Sequence, residues 1–241
     1  MPALALALVG DPVDHSASPG LYRGFLAERG IDGTYEAICV PAGQGRSALA
    51  DLRARGYRGV NVTTPLKEEA YAYCDSHDEI AAASGSVNTV VFDAAGARGY
   101  NTDGAGAVGA VAAAVSGAVA GRSVLILGAG PTARAGALAL REAGARVALW
   151  SRTFARARSA ATAAGVDLWQ PGAPCDVVLA ALLPAVELPA YVRVEVLRAP
   201  AVIDANYGPR ATLGALLGRP VHDGLEMLRA SVRASFALFA P

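Results

Sequence analysis

Short apolar runs alternate with helix-patterned stretches along the whole chain, and this alternation constrains the fold more than any other feature. Strands are expected over Ala3 to Val9, Tyr35 to Val40, Gly59 to Thr63, Asn88 to Phe92, Ser123 to Leu127, Arg146 to Trp150, Asp176 to Ala180 and Ala201 to Asp204. Between them, helices are expected over Pro19 to Arg29, Gly45 to Arg55, Leu66 to Tyr73, Gly104 to Ala118, Thr132 to Ala143, Phe154 to Ala163 and Leu225 to Phe239. Parallel neighbours need a crossover and a helix supplies one, so this order dictates an α/β fold with mostly parallel sheet.

A break falls near Asp103, where the turn-rich YNTDGAG leads into an Ala-rich helix and the chain restarts with SVLILGAGPTA. Two α/β domains are expected, residues 1–103 with 222–241 and residues 104–221, the last helix returning to pack on the first domain. The 241 residues suffice for substantial cores. Ligands of open α/β sheets bind at the carboxyl ends of the strands, so the active site is expected in the cleft between the domains.

Formal net charge is zero with acidic and basic residues mixed, so no nucleic-acid or membrane-surface partner is expected. Cys39, Cys74 and Cys175 lie far apart without a C-x-x-C pair, which argues against a disulfide framework or thiolate metal site and for a reducing, cytoplasmic compartment. His15, His77 and His222 are isolated, so no metal is expected. The start, MPALALALVGDP, lacks a basic segment and runs into Asp-Pro, and reads as a buried strand rather than a leader. The stretch Ala105 to Gly121 is only weakly hydrophobic and reads as packed helix rather than a membrane span. Monomer and homodimer both stay open.

The second half carries a dinucleotide fingerprint. Gly128, Ala129, Gly130, Pro131, Thr132 and Ala133 link a strand to a helix: Gly128 permits the turn, Gly130 lets a pyrophosphate approach the backbone, the helix N-terminus offers N–H groups, and Ala133 is small enough for close packing. The bland alternative is a glycine turn that merely connects two elements. After the next strand, a site for the free ribose of NAD would carry Asp or Glu, but this chain has Ser151, Arg152 and Thr153; the guanidinium suits the 2′-phosphate of NADP, the expected cofactor. Arg156 is either a second phosphate partner or a solvated face residue.

In the first half, Lys67 is the sole lysine among 21 Lys and Arg residues, and lies in GVNVTTPLKEEA. An ammonium can exchange a proton near neutral pH when desolvated and a guanidinium cannot, so Lys67 is the leading catalytic candidate; a leftover surface cation is the alternative. In GDPVDHSASP, Ser18 and Pro19 read as N-cap and first helical residue, and Ser16, Ser18 and the helix N-terminus together make a neutral carboxylate site.

Together, GDPVDHSASP, GVNVTTPLKE, GSVNTV, YNTDGAG, GAGPTAR, SRT, IDANYGP and GLEML resemble, in order and approximate spacing, the shikimate dehydrogenase family. The resemblance spans nearly the whole chain. It implies reversible NADP-dependent reduction of a ring ketone in a cyclic carboxylate, 3-dehydroshikimate to shikimate in the parent activity. The first domain would bind substrate and the second, a Rossmann-type domain, NADP. Ser16 and Ser18 would hold the substrate carboxylate, Thr63, Asn88 and Tyr207 would contact ring substituents, and Gly224 would adjoin the cofactor. Lys67 and Asp103 would flank the reacting hydroxyl. Asn88 and Asp103 also have plain structural readings, as a turn leading into a strand and a helix N-cap.

Four departures from the family pattern are visible. Tyr22 and Arg23 stand where His-Asn is common, Ser231 replaces a substrate-contacting Gln on the last helix, Ala180, Ala181, Leu182 and Leu183 replace Asn-Ala-Thr-Ser, and Pro131 replaces a loop glycine and removes an N–H. They leave room for a paralogue acting on quinate, an amino analogue of shikimate or another cyclic hydroxy acid, and for a non-catalytic metabolite-binding protein.

Overall fold

The computed structural model describes residues 4–240. Ala3, the expected first residue of the first strand, lies outside them. The chain forms two compact units, Met1–Thr102 with Ser231–Pro241, and Asp103–Ala230. The second boundary therefore falls inside the last helix rather than at residue 222.

The first unit runs β1 (Leu4–Gly10), α1 (Ser18–Glu28), β2 (Gly33–Cys39), α2 (Gly45–Ala54), β3 (Gly59–Val62), α3 (Lys67–Tyr73), β4 (Ser76–His77), α4 (Glu79–Ser84), β5 (Thr89–Asp93) and β6 (Gly96–Tyr100). Its sheet has the order β2-β1-β3-β5-β6-β4. The β1–β2, β1–β3 and β4–β6 pairs are parallel, but β3–β5 and β5–β6 are antiparallel. The antiparallel hairpin escaped sequence reading because β6, GARGY, has two glycines and an arginine in place of an apolar alternation. Val9, Leu49, Leu52, Val60, Val62, Leu66 and Phe92 belong to one core cluster.

The second unit runs α5 (Asp103–Ala114), β7 (Ser123–Leu127), α6 (Pro131–Glu142), β8 (Arg146–Trp150), α7 (Phe154–Ala164), β9 (Asp167–Leu168), β10 (Val177–Ala180), α8 (Ala190–Arg198), β11 (Ala201–Asp204), α9 (Leu213–Leu217) and the start of α10 (Leu225–Phe239). The sheet is fully parallel, in the order β11-β10-β7-β8-β9. Leu125, Leu127, Val178 and Val202 pack against Val192 and Val196 of α8. Helix α8 went unpredicted because its run YVRVEV alternates like a strand, yet the buried valines are four apart, the helical repeat. The Ala- and Gly-rich stretch after Asp103 is a packed helix, ending earlier than expected, with Ser116 at φ 50° beyond its end. Among the described residues no helix is long and apolar enough to cross a membrane.

Candidate functional site

In the first unit, the flagged residues gather at the end of the sheet where β1 and β3 finish. Thr63 follows β3 directly and its N–H donates to Val9 O at 2.9 Å, while Asp11 N–H donates to Thr64 O at 3.0 Å, so the loops after β1 and β3 lie side by side. Asn88 joins them because β5 runs antiparallel to β3: it begins where β3 ends, and Val62 N–H donates to Asn88 O at 2.8 Å. Lys67 opens α3 and is only 9% exposed. Its carbonyl accepts Val87 N–H at 2.9 Å, fixing the helix start beside Asn88. Helix N-termini favour negative charge, so a covered ammonium at the first position opposes the local field and is not there to stabilise the helix.

The helix carrying Ser18 starts one residue earlier than expected. Ser18 is its first residue and Ala17 takes the N-cap position. Ser16 Oγ accepts the Ser18 N–H at 3.2 Å, satisfying one of the unpaired donors of that first turn, and Ser18 is buried.

Asn88 is oriented by its neighbours. Its Oδ1 accepts the Thr102 N–H at 2.8 Å, the Thr89 hydroxyl at 3.0 Å and the Thr102 hydroxyl at 3.2 Å. A backbone N–H can only donate, so the oxygen must face Thr102 and the Nδ2 donors face outward, toward Ser231 Oγ at 3.5 Å. Ser231 also sits 2.8 Å from Thr102 Oγ1. Its short side chain is thus engaged with Asn88 and Thr102. Behind this group, Asn61 donates to Thr89 Oγ1 at 3.1 Å and accepts from Tyr35 OH at 3.0 Å. Sequence reading missed Thr89 and Thr102, although both lie inside motifs it singled out. Tyr22, by contrast, is fully buried, stacked on Tyr35 with its hydroxyl on Ser235, and is a core residue.

In the second unit, Gly128, Ala129 and Gly130 link β7 to α6. Gly128 has φ 126°, and a Cβ there would lie 2.5 Å from Ala181 O, so only glycine fits. Pro131 is the first residue of α6 with Gly130 as N-cap, a position where the missing N–H costs no helical bond. Ala133 is buried, and beside Gly130 is open space. Asp103 opens α5, 8% exposed, and its Oδ2 accepts the Thr132 hydroxyl at 3.0 Å, which joins two residues that the sequence had assigned to separate roles. Ser151 ends the run after β8, with Arg152 and Thr153 exposed and Thr153 at the N-cap position of α7. This arrangement fits a phosphorylated dinucleotide: a glycine turn with room above it, a helix N-terminus and an accessible guanidinium after the second strand. Tyr207 precedes a short 3-10 turn, Gly208–Arg210. Gly224 sits so close to the chain that a Cβ would lie 2.2 Å from Ala205 O.

The model of the shikimate dehydrogenase substrate binding domain matches residues 8–90. The shikimate dehydrogenase (NADP(+)) of Acidiphilium cryptum (strain JF-5) is 43% identical over 150 residues, covering 62% of this chain and 54% of the relative. That of Moorella thermoacetica (strain ATCC 39073 / JCM 9320) is 44% identical over 168 residues, covering 69% of this chain and 57% of the relative. The matches thus span just over half the length of these curated relatives. The crystal structure of shikimate 5-dehydrogenase from Thermus thermophilus in complex with NADP(H) and shikimate superposes with a TM-score of 0.84 at 33% identity, covering 98% of this chain and 93% of that one. With that likeness extending over both chains nearly end to end, this chain belongs to the shikimate dehydrogenase family.

Proposed function

We propose that this chain interconverts a ring ketone and a secondary alcohol of a cyclic carboxylate with NADP(H), 3-dehydroshikimate and shikimate being the pair. The observation that carries the proposal is the 33% identity with the Thermus thermophilus enzyme solved with NADP(H) and shikimate. Met1–Thr102 with Ser231–Pro241 would bind the substrate and Asp103–Ala230 the dinucleotide. The three free cysteines suit a reducing cytoplasm.

NADPH, when bound, supplies a hydride equivalent to the carbonyl carbon. The chain's own residues handle the charge and the proton. Reduction leaves negative charge on the former carbonyl oxygen, and the Lys67 ammonium stabilises that charge and gives the oxygen a proton; in the oxidative direction the amine takes it back. Asp103, held by the Thr132 hydroxyl, would take the substrate hydroxyl. Ser16 and Ser18 take the substrate carboxylate at the start of α1, while Thr63, Asn88, Ser231 and Tyr207 contact ring substituents. The glycine loop and α6 N-terminus would hold the pyrophosphate, Gly224 would adjoin the cofactor, and Ser151, Arg152 and Thr153 would hold the 2′-phosphate.

The test follows NADPH oxidation at 340 nm with 3-dehydroshikimate for the wild type, Lys67→Ala and Lys67→Arg. Both variants should lose roughly 10²- to 10⁴-fold in kcat, with the melting curve and NADPH affinity unchanged. Near-normal turnover by Lys67→Ala would overturn the lysine's role. Ser231, engaged with Thr102, favours including quinate and an amino analogue of shikimate in the panel. Faster turnover of either would shift the substrate assignment and leave the chemistry in place.

A further inference from the structure

The segment after β10, Ala181, Leu182 and Leu183, brings no polar side chain to the carboxyl end of the second sheet, where a dinucleotide binds. It is nonetheless held at defined points. Ala181 N–H donates to Leu127 O at 2.9 Å, and the Ala181 carbonyl presses on Gly128, the turn glycine of the fingerprint. Leu182 O accepts a hydrogen bond from Asn206 Nδ2 at 3.0 Å.

Asn206 is itself fixed from both sides. Its Nδ2 donates to Asp204 Oδ1 at 2.7 Å and its backbone N–H to the same oxygen at 3.0 Å. Asp204 is 3% exposed, and its other oxygen accepts the Leu213 N–H at 3.1 Å. The Asn206 carbonyl accepts the Gly224 N–H at 2.8 Å, while Gly224 lies against Ala205 O too closely for any side chain. One residue after β11 therefore ties together the segment after β10 and the turn before α10. Through Ala181 that tie reaches the glycine loop after β7.

We infer that Asn206 is a positioning residue for the dinucleotide: anchored by Asp204, its side-chain amide holds the Leu182 backbone, and its backbone carbonyl the Gly224 turn, in the places that receive the cofactor. This rests on the dinucleotide reading above. The role falls to an amide because its NH2 group carries two protons, one for the Leu182 carbonyl and one for Asp204 Oδ1.

The chain's two tryptophans, Trp150 and Trp169, both lie in the second unit, so NADPH binding is read by quenching of their emission, alongside the thermal shift it produces. In Asn206→Ala, NADPH should bind roughly 3- to 10-fold more weakly, the loss of one held contact. KM for NADPH should rise by the same factor, with kcat and KM for 3-dehydroshikimate within about twofold of wild type. Asn206→Ser keeps a donor near Asp204 but is too short for Leu182 O. It should show the same loss with the apoprotein's melting temperature preserved, which keeps the test open should the alanine variant fail to fold. Wild-type NADPH affinity in folded Asn206→Ser, or an equal rise in KM for both substrates, would overturn the inference and leave the dinucleotide reading standing. A wild type that neither quenches nor shifts with NADPH would overturn both.

Discussion

Removing the hydroxyl of Tyr22 should reveal how the last helix is locked to the first unit. Tyr22 and Ser235 are both fully buried and hydrogen-bonded through their hydroxyls, and Ser235 gives its own proton to Val232 O at 3.1 Å. The Tyr22 hydroxyl is therefore the donor. Burial drives the phenol above its usual pKa, opposed by its hydrogen bonds to Ser235 and Asn61, so it stays protonated through the working range. Tyr22→Phe keeps the ring stacked on Tyr35, with centroids 3.9 Å apart, and deletes the hydroxyl's interactions with Ser235 and Asn61, at a cost of about 1–2 kcal/mol. Ser235→Ala strands a buried donor in part, at a cost of about 1–2 kcal/mol. The double variant strands neither group, so its cost should fall short of the sum by about 1 kcal/mol. Urea denaturation of the four proteins at pH 7 measures the cycle, and each kcal/mol should appear as roughly 2–4 °C in Tm for a chain of this size. Costs that add to within about 0.3 kcal/mol would refute the pairing.

Gly128→Ala, forced to φ 126° with its Cβ 2.5 Å from Ala181 O, should destabilise the second unit by about 2 kcal/mol or more and weaken NADPH binding; a wild-type melting curve would count against the close approach. Thiol labelling at pH 8 should be confined to the exposed Cys39, itself slowed because its hydrogen bond to Asp11 raises its pKa. Burial pushes Cys74 up to about 12 and Cys175 up to about 11, so both should label only after unfolding. Burial also holds Asp78 above the ordinary carboxylate range, against the lowering effect of the N–H groups of Ala81 and Asn101. Its folded form therefore binds the proton more tightly than its unfolded form, and stability should fall as pH rises from about 4 through the raised value. Asp78→Asn, still able to cap α4, should flatten that slope in urea midpoints taken from pH 4 to 7, and an unchanged slope would assign it to other groups.

Much of this was legible in the residues. The alternation of apolar runs and helical patterns set the α/β class, because the period of a pattern reports local backbone geometry. The run GAGPTA announced a tight glycine turn into a helix N-terminus for the same reason: φ at Gly128 and the unpaired donors of α6 are local properties. Lys67 stood out through its rarity. Illegible were β6, whose residues carry no alternation, with its antiparallel pairing to β5, and helix α8, whose valines alternate like a strand.

Other features only the tertiary structure could decide. The antiparallel course of β5 brings Asn88 to the end of the sheet that Thr63 and Lys67 reach by following a parallel strand. Which way the Asn88 amide faces depends on Thr102, fourteen residues on, and on Ser231, 143 residues on. The pairing of Tyr22 with Ser235 and the hold of Asn206 on Leu182 are of the same kind. A sequence pattern records what each residue prefers within a few positions of itself; which hydroxyl or amide completes a hydrogen bond across the fold is fixed only when distant segments pack and every buried donor must find its acceptor.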